Sequence, residues 1–287
     1  MKTTFFKYAL STFLLTGIAA HGYAQKLPDV QGAAVPAPAG IKVDGKNTEW
    51  GDGFKALNKR TSLYYTLAND DKNLYLTVRT TDPTTSAKIF AGGITFGVNP
   101  DGKKKDKESM TLTYPVISRD AMRMGGGRGP GGGGGNMRRE MGMTMGSRGA
   151  DNPKQRDSMM AARQKTQLAA IKEIQIRGFK TTADSVVSIY NEYGIKAVGS
   201  IDKDNAYFYE MAIPLAALGL DQGTPAPFAY QIKLNGIQMQ GLDGGGFGGG
   251  RGGFGGGAGP RGGGSGIDFQ ALMSPTDFWG TYTLIKK

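Results

Sequence analysis

The chain contains no cysteine and a single histidine, His21. That histidine falls inside what reads as a secretion leader, so the mature protein would have neither imidazole nor thiol. A Ser-His-Asp or Cys-His nucleophile cannot then be assembled. A Cys/His zinc site and a histidine-ligated haem are excluded as well. Catalysis would have to run on carboxylates, lysine, tyrosine or a metal held by oxygen. Tryptophan is also scarce, with Trp50 and Trp279 alone. These absences shift the expectation from an enzyme toward a binding module.

The beginning of the chain has the form of a signal peptide over residues 1–24. Lys2 and Lys7 precede an apolar run through Leu14 and Leu15 to Ala20, and Gly22 and Ala24 supply the small residues of a cleavage site. The run is too short for a comfortable bilayer span. Gln25 stands where a lipoprotein needs cysteine. The expected product is exported, periplasmic or extracellular, without a membrane span. Export permits disulfides, yet none can form, so a core must hold the fold. The net charge is +11, but residues 117–172 hold eleven Lys and Arg against four Asp and Glu. Most of the basicity therefore belongs to one insertion, which weakens any nucleic-acid reading.

Residues 25–40 are rich in Pro, Ala and Gly and read as an extended linker. Two-residue alternation then recurs, the mark of β-strands. Leu63, Tyr65 and Leu67 share one face, and Leu74, Leu76 and Val78 share the next, with a turn at residues 69–73. Ile94, Phe96 and Val98 mark a third strand, closed by Asn99-Pro100-Asp101-Gly102, and Met110, Leu112 and Tyr114 a fourth. Further strands are expected at 174–179, 185–190, 195–201, 207–213, 228–234 and 278–285. Residues 118–152 form a Gly/Met/Arg-rich insertion and residues 241–266 a Gly-rich loop, neither able to bury enough apolar surface to order itself. Asp151-Asn152-Pro153 opens a helix over about 153–170. The expected fold is an all-β, antiparallel, jelly-roll-like sandwich with one inserted helix. Residues 41–287 form one domain, with strands on both sides of each glycine-rich tract sharing a core.

Several motifs fail on inspection. Arg251-Gly252-Gly253 and Arg261-Gly262-Gly263 resemble an RNA-binding tract, but an exported chain fits a flexible loop better. Irregular spacing argues against copper capture by the methionines. Gly97 to Lys103 nearly spells a phosphate loop, yet Lys104 stands where Ser or Thr should hold Mg²⁺. Glu49, Asp52, Glu108 and Glu210 are carboxylates available in principle for glycoside hydrolysis, but nothing pairs any two across a cleft. Asp70, Asp71 and Asp101 offer turn oxygens that a structural Ca²⁺ assembled from distant loops could use; solvated turns are the plainer reading. Aromatic rings stack on the apolar faces of sugars. Trp50, Trp279 and the presumed exposed-face residues Tyr64, Tyr75 and Phe208 are accordingly the candidate ligand-binding residues, although core packing beside strand starts is the plainer reading of the two tryptophans. Glu210 would share the Phe208 face of its strand, read as facing solvent.

The segment Ile41-Lys42-Val43-Asp44-Gly45-Lys46-Asn47-Thr48-Glu49-Trp50 resembles the opening of family 9 carbohydrate-binding modules. The stretches from Tyr65 to Val78 and from Gly93 to Gly102 are similar to that family too, as is Tyr209-Glu210-Met211-Ala212-Ile213-Pro214-Leu215. The resemblance covers most of residues 41–287 outside the glycine tracts. It implies a β-sandwich and a non-catalytic glycan-binding function, supporting polysaccharide breakdown by a separate glycoside hydrolase. The wider DOMON-related superfamily includes haem-binding domains that use His and Met, a branch the missing histidine disfavours. Two other functions stay open at this point. One is a cell-envelope interaction protein whose basic loops touch anionic polymers; the other is a carboxylate-based glycan hydrolase.

Overall fold

Apolar residues two apart along many short segments can be buried together only if two sheets face each other. A computed structural model of the chain shows this arrangement; it describes residues 26–116, 153–221, 226–236 and 269–286. The expected leader and the two glycine-rich tracts lie outside these residues.

The elements run in chain order β1 (Val35–Pro36), β2 (Ala56–Asn58), β3 (Leu63–Asn69), β4 (Asn73–Thr80), α1 (Pro83–Gly92), β5 (Ile94–Asn99) and β6 (Met110–Tyr114). Then come α2 (Pro153–Ala170), β7 (Glu173–Arg177), β8 (Val186–Ser188), β9 (Lys196–Ile201), β10 (Tyr207–Pro214), β11 (Phe228–Leu234), α3 (Phe269–Met273) and β12 (Thr276–Tyr282). Sheet A has the order β1-β3-β4-β10-β9, with β2 also on β3; sheet B has the order β12-β11-β5-β6-β7-β8. All pairings are antiparallel except β1 with β3. Strands from before residue 117 pair with strands from after residue 152 in both sheets, as in the β4–β10, β5–β11 and β6–β7 pairs. The expected antiparallel β-sandwich therefore draws strands from both portions of the chain.

The core lies between the sheets. Leu63, Tyr65, Leu67, Tyr207, Tyr209 and Met211 of sheet A meet Phe96, Leu112, Ile176, Tyr230 and Ile232 of sheet B in one buried cluster. Large tyrosines are seated opposite glycines: a Cβ on Gly280 would stand within the Tyr230 ring, and one on Gly199 would strike the Tyr207 hydroxyl. The inserted helix α2 matches its expected bounds and buries Ala161 and Leu168, two turns apart on one face; Leu168 reaches Gly199 of the edge strand β9.

Two short helices were not expected. In α1 the Asp82 side chain accepts from the Thr85 N–H, and Pro83 occupies the first turn. This Asp-Pro start is a legible signal. The helix buries Ile89 and Phe90, the latter edge-on to Tyr207 at 5.7 Å.

The expected linker proves to be part of the fold. Gln31 is buried, and its amide acts as a strand partner to β3: Nε2 donates to the Leu67 carbonyl and Oε1 accepts from the Leu67 N–H. The Gln31 N–H donates to the Tyr65 hydroxyl, which lies 3.0 Å from the Tyr230 hydroxyl across the core. Proline and small residues there favour extended chain, and extended chain suits docking on an edge strand as well as it suits a linker.

Tyr65→Phe leaves both the Gln31 N–H and the Tyr230 hydroxyl short of a partner, whereas Tyr230→Phe leaves Tyr65 still bonded to Gln31. Urea unfolding should show a loss of about 2 kcal/mol for the first and about 1 kcal/mol for the second. The double variant should lose less than the sum of the two. Equal losses would break this account of the core.

Candidate functional site

The two sheets differ in what covers their outer faces. In sheet A the strands β3, β4 and β10 are buried almost throughout, on both faces. In sheet B the strands β6 and β7 alternate buried with half-buried or exposed residues, so their outer face is open.

The cover on sheet A is the chain between β1 and β2. It leaves the β3 edge, crosses to β9 and β10, and returns. Gly45 anchors the crossing: its carbonyl accepts from Ser200 Oγ at 2.6 Å and its N–H donates to Glu210 Oε2 at 2.7 Å. Its φ of +79° and the 3.0 Å from a would-be Cβ to Val198 explain the glycine. The Asp44 N–H also donates to Glu210 Oε2, and Trp50 Nε1 donates to Oε1 at 2.9 Å.

This placement corrects the expectation for five residues. Glu210 is 1% exposed and spends both oxygens on the strap, so it neither faces solvent nor can serve as a hydrolytic carboxylate. Phe208 is also 1% exposed and Tyr75 is 8% exposed, not open platforms. Trp50 is half-buried, with its indole N–H committed to Glu210 and its ring edge-on to Tyr75. Tyr64 is half-buried against Phe54. Trp50 and Tyr75 do come together, but as part of the strap's seat.

The aspartates separate. Asp70 closes the β3–β4 turn, accepting from the Lys72 and Asn73 N–H groups and the Tyr75 hydroxyl. Burial works to raise its pKa, but those hydrogen bonds outweigh it and hold the carboxyl below its usual range. Burial, reinforced by the same carboxylate, pushes the Tyr75 hydroxyl up to about 12. Asp71 is exposed in that turn, while Asp101 sits in the β5–β6 turn of the other sheet, 3.6 Å from Lys103. Among the described residues no three acidic side chains gather as a metal cage.

The open face of sheet B carries the more useful geometry. Register places Trp279, Gln231, Gly97, Thr111 and Arg177 in one row across five strands. The adjacent row is Asp277, Lys233, Thr95, Thr113 and Gln175. Within these rows lies a groove of about 270 Å³ lined by the threonines, Gln175, Arg177, Gln231, Lys233 and Asn235, with Asp106 from the turn above. Its polar atoms are held in place by one another. The Thr95 and Thr113 hydroxyls are 2.7 Å apart, Asn235 donates to Thr95 at 2.8 Å, and Gln231 donates to Asp277 at 2.8 Å. Trp279, half-buried, stands at the β12 end of the first row. Of the sequence candidates, Trp279 alone belongs here. The polar residues were missed, although the threonines, Gln175 and Arg177 are the polar halves of alternating strands such as Met110-Thr111-Leu112-Thr113-Tyr114.

Comparison with protein-family models, curated proteins and solved structures returned no match. No helix among the described residues is long and apolar enough to cross a membrane.

Burial pushes the Glu210 carboxyl up to about 7 from the usual 4.5, against the pull of the Gly45, Trp50 and Asp44 donors. Between those values the folded state retains a proton that the unfolded chain has released. Stability should therefore fall as pH rises from about 4.5 to about 7. Glu210→Gln removes this slope but turns an amide N–H toward one of the strap's donors, costing about 1–3 kcal/mol. Urea melts across this pH range test both effects. In a Trp279→Phe background, red-shifted Trp50 emission should report the loosened strap.

Proposed function

We propose that the protein is an exported, non-catalytic glycan-binding β-sandwich that holds sugar against the outer face of sheet B. The observation that carries this reading is the groove of interlocked hydroxyl and amide groups with Trp279 on the same face. Sugars present vicinal hydroxyls that both donate and accept, and their C–H faces stack on aromatic rings. Threonine, glutamine and asparagine can meet both needs without ionising. The resemblance to family 9 carbohydrate-binding modules supports the same function. The groove replaces Trp50, Tyr64, Tyr75 and Phe208 as the seat of binding.

The competing hydrolase reading loses Glu210 to the strap. A partner glycoside hydrolase would supply any turnover, and a structural Ca²⁺ on the turn aspartates is no part of the binding step.

Isothermal titration of the full chain against neutral and acidic oligosaccharides tests the proposal. Trp279→Ala and Gln175→Ala are each expected to weaken binding about 5–10-fold, the loss of roughly one contact of about 1 kcal/mol. Circular dichroism should be unchanged, because both side chains lie outside the core. Silence across the panel, or wild-type affinity in both variants, would refute the proposal.

A further inference from the structure

A second cavity, of about 390 Å³, adjoins the groove, and Arg177 lines both. It lies between the β5–β6 turn and the chain following β7. Its charges are unevenly matched. The lining carboxylates already have lysines: Asp101 has Lys103 at 3.6 Å, and Glu108 has Lys105 at 3.3 Å and Lys103 at 3.9 Å. The lining cations have no such partners. Lys107, Arg177 and Lys180 are all exposed, and none pairs with a carboxylate among the described residues. Arg177 is instead oriented by backbone, its Nη2 donating to the Asp106 carbonyl at 2.8 Å and more weakly to that of Ser109. A guanidinium held by carbonyls keeps its full charge and several donors unspent.

A second observation points to a ligand. Asn99 lines the cavity and is 1% exposed. Its Oδ1 accepts from the Asp101 N–H, but its Nδ2 has no partner among the described residues. Buried amide donors are rarely left unmet, and an acceptor supplied by a ligand would complete this one.

We propose that this cavity receives an oxyanion substituent, carboxylate or sulfate, of an acidic glycan whose sugar ring lies in the adjoining groove. The inference rests on the glycan-binding reading and adds the ligand's charge to it. Arg177 spans the two compartments, meeting ring hydroxyls on one side and the anion on the other. Lys107 and Lys180 supply the surrounding positive field, and Asn99 a neutral donor. Because the cations are exposed, salt should screen the attraction.

Titration of the full chain with oligogalacturonate, the same oligomer after carboxyl reduction, a sulfated glucan and inorganic phosphate tests this. The acidic glycans are expected to bind at least tenfold more tightly than the reduced one, with the gap narrowing as salt is raised. The oligogalacturonate and sulfated-glucan arms tell the two oxyanions apart. Lys180→Glu changes an exposed residue outside the groove. It should erase most of that gap while leaving affinity for the reduced oligomer within about twofold. Equal affinity for charged and reduced oligomers would overturn the inference and leave glycan binding standing. So would an acidic preference untouched by Lys180→Glu, or competition by phosphate at concentrations comparable to the uronate. Failure of every glycan to bind would remove both readings.

Discussion

The Tyr65 hydroxyl is where three separate parts of the chain meet. It takes the N–H of Gln31 from the N-terminal segment, belongs to β3 of sheet A, and touches the Tyr230 hydroxyl of sheet B. Without disulfides, the sheets are held by buried side chains alone. A polar contact at their centre must be satisfied or it becomes a cost. Satisfying it requires the N-terminal segment to be docked and both sheets to be in register. Gly199 and Gly280, on the strands neighbouring Tyr207 and Tyr230 in their own sheets, serve the same core, since a Cβ at either would strike the tyrosine.

That docking leads to the asymmetry between the two outer faces. Once the N-terminal chain is fixed on β3, the segment that follows crosses sheet A and closes its outer face, with Glu210 as its anchor. The Asp44-Gly45 and Trp50 positions, which carry the resemblance to carbohydrate-binding modules, act here as the latch of that strap. Sheet B keeps its face over β6 and β7 open, and there the polar half of each strand lies outside the core. A burial pattern set by packing thus decides which sheet keeps an open polar face.

Much of the strand content was legible in the chain. Alternation located both hairpins, the turn chemistry at Asn99 to Gly102 closed one of them, and the Asp-Asn-Pro start placed α2 at its bounds. The expected linker was misread because composition reports an extended conformation without reporting what it lies against. The aromatic candidates were misread for a related reason. Tyr207 to Pro214 alternates only weakly, being apolar on nearly every residue, and such a run marks a strand covered on both faces. By contrast, Glu173-Ile174-Gln175-Ile176-Arg177 alternates cleanly and is open on one side. The difference between those two strands was visible, and it distinguished the covered sheet from the open one.

Local pattern by itself determined that the chain alternates, where it turns, and that histidine and cysteine chemistry is absent from the body of the fold. Those properties reside in neighbouring residues and in composition. Tertiary structure alone decided that Glu210 is a latch, that Gln31 completes a core, and that Thr95, Gln175, Arg177 and Asn235 share one groove. Each depends on contacts between residues far apart in the chain, and strand register, set by packing across the sheets, brings them together.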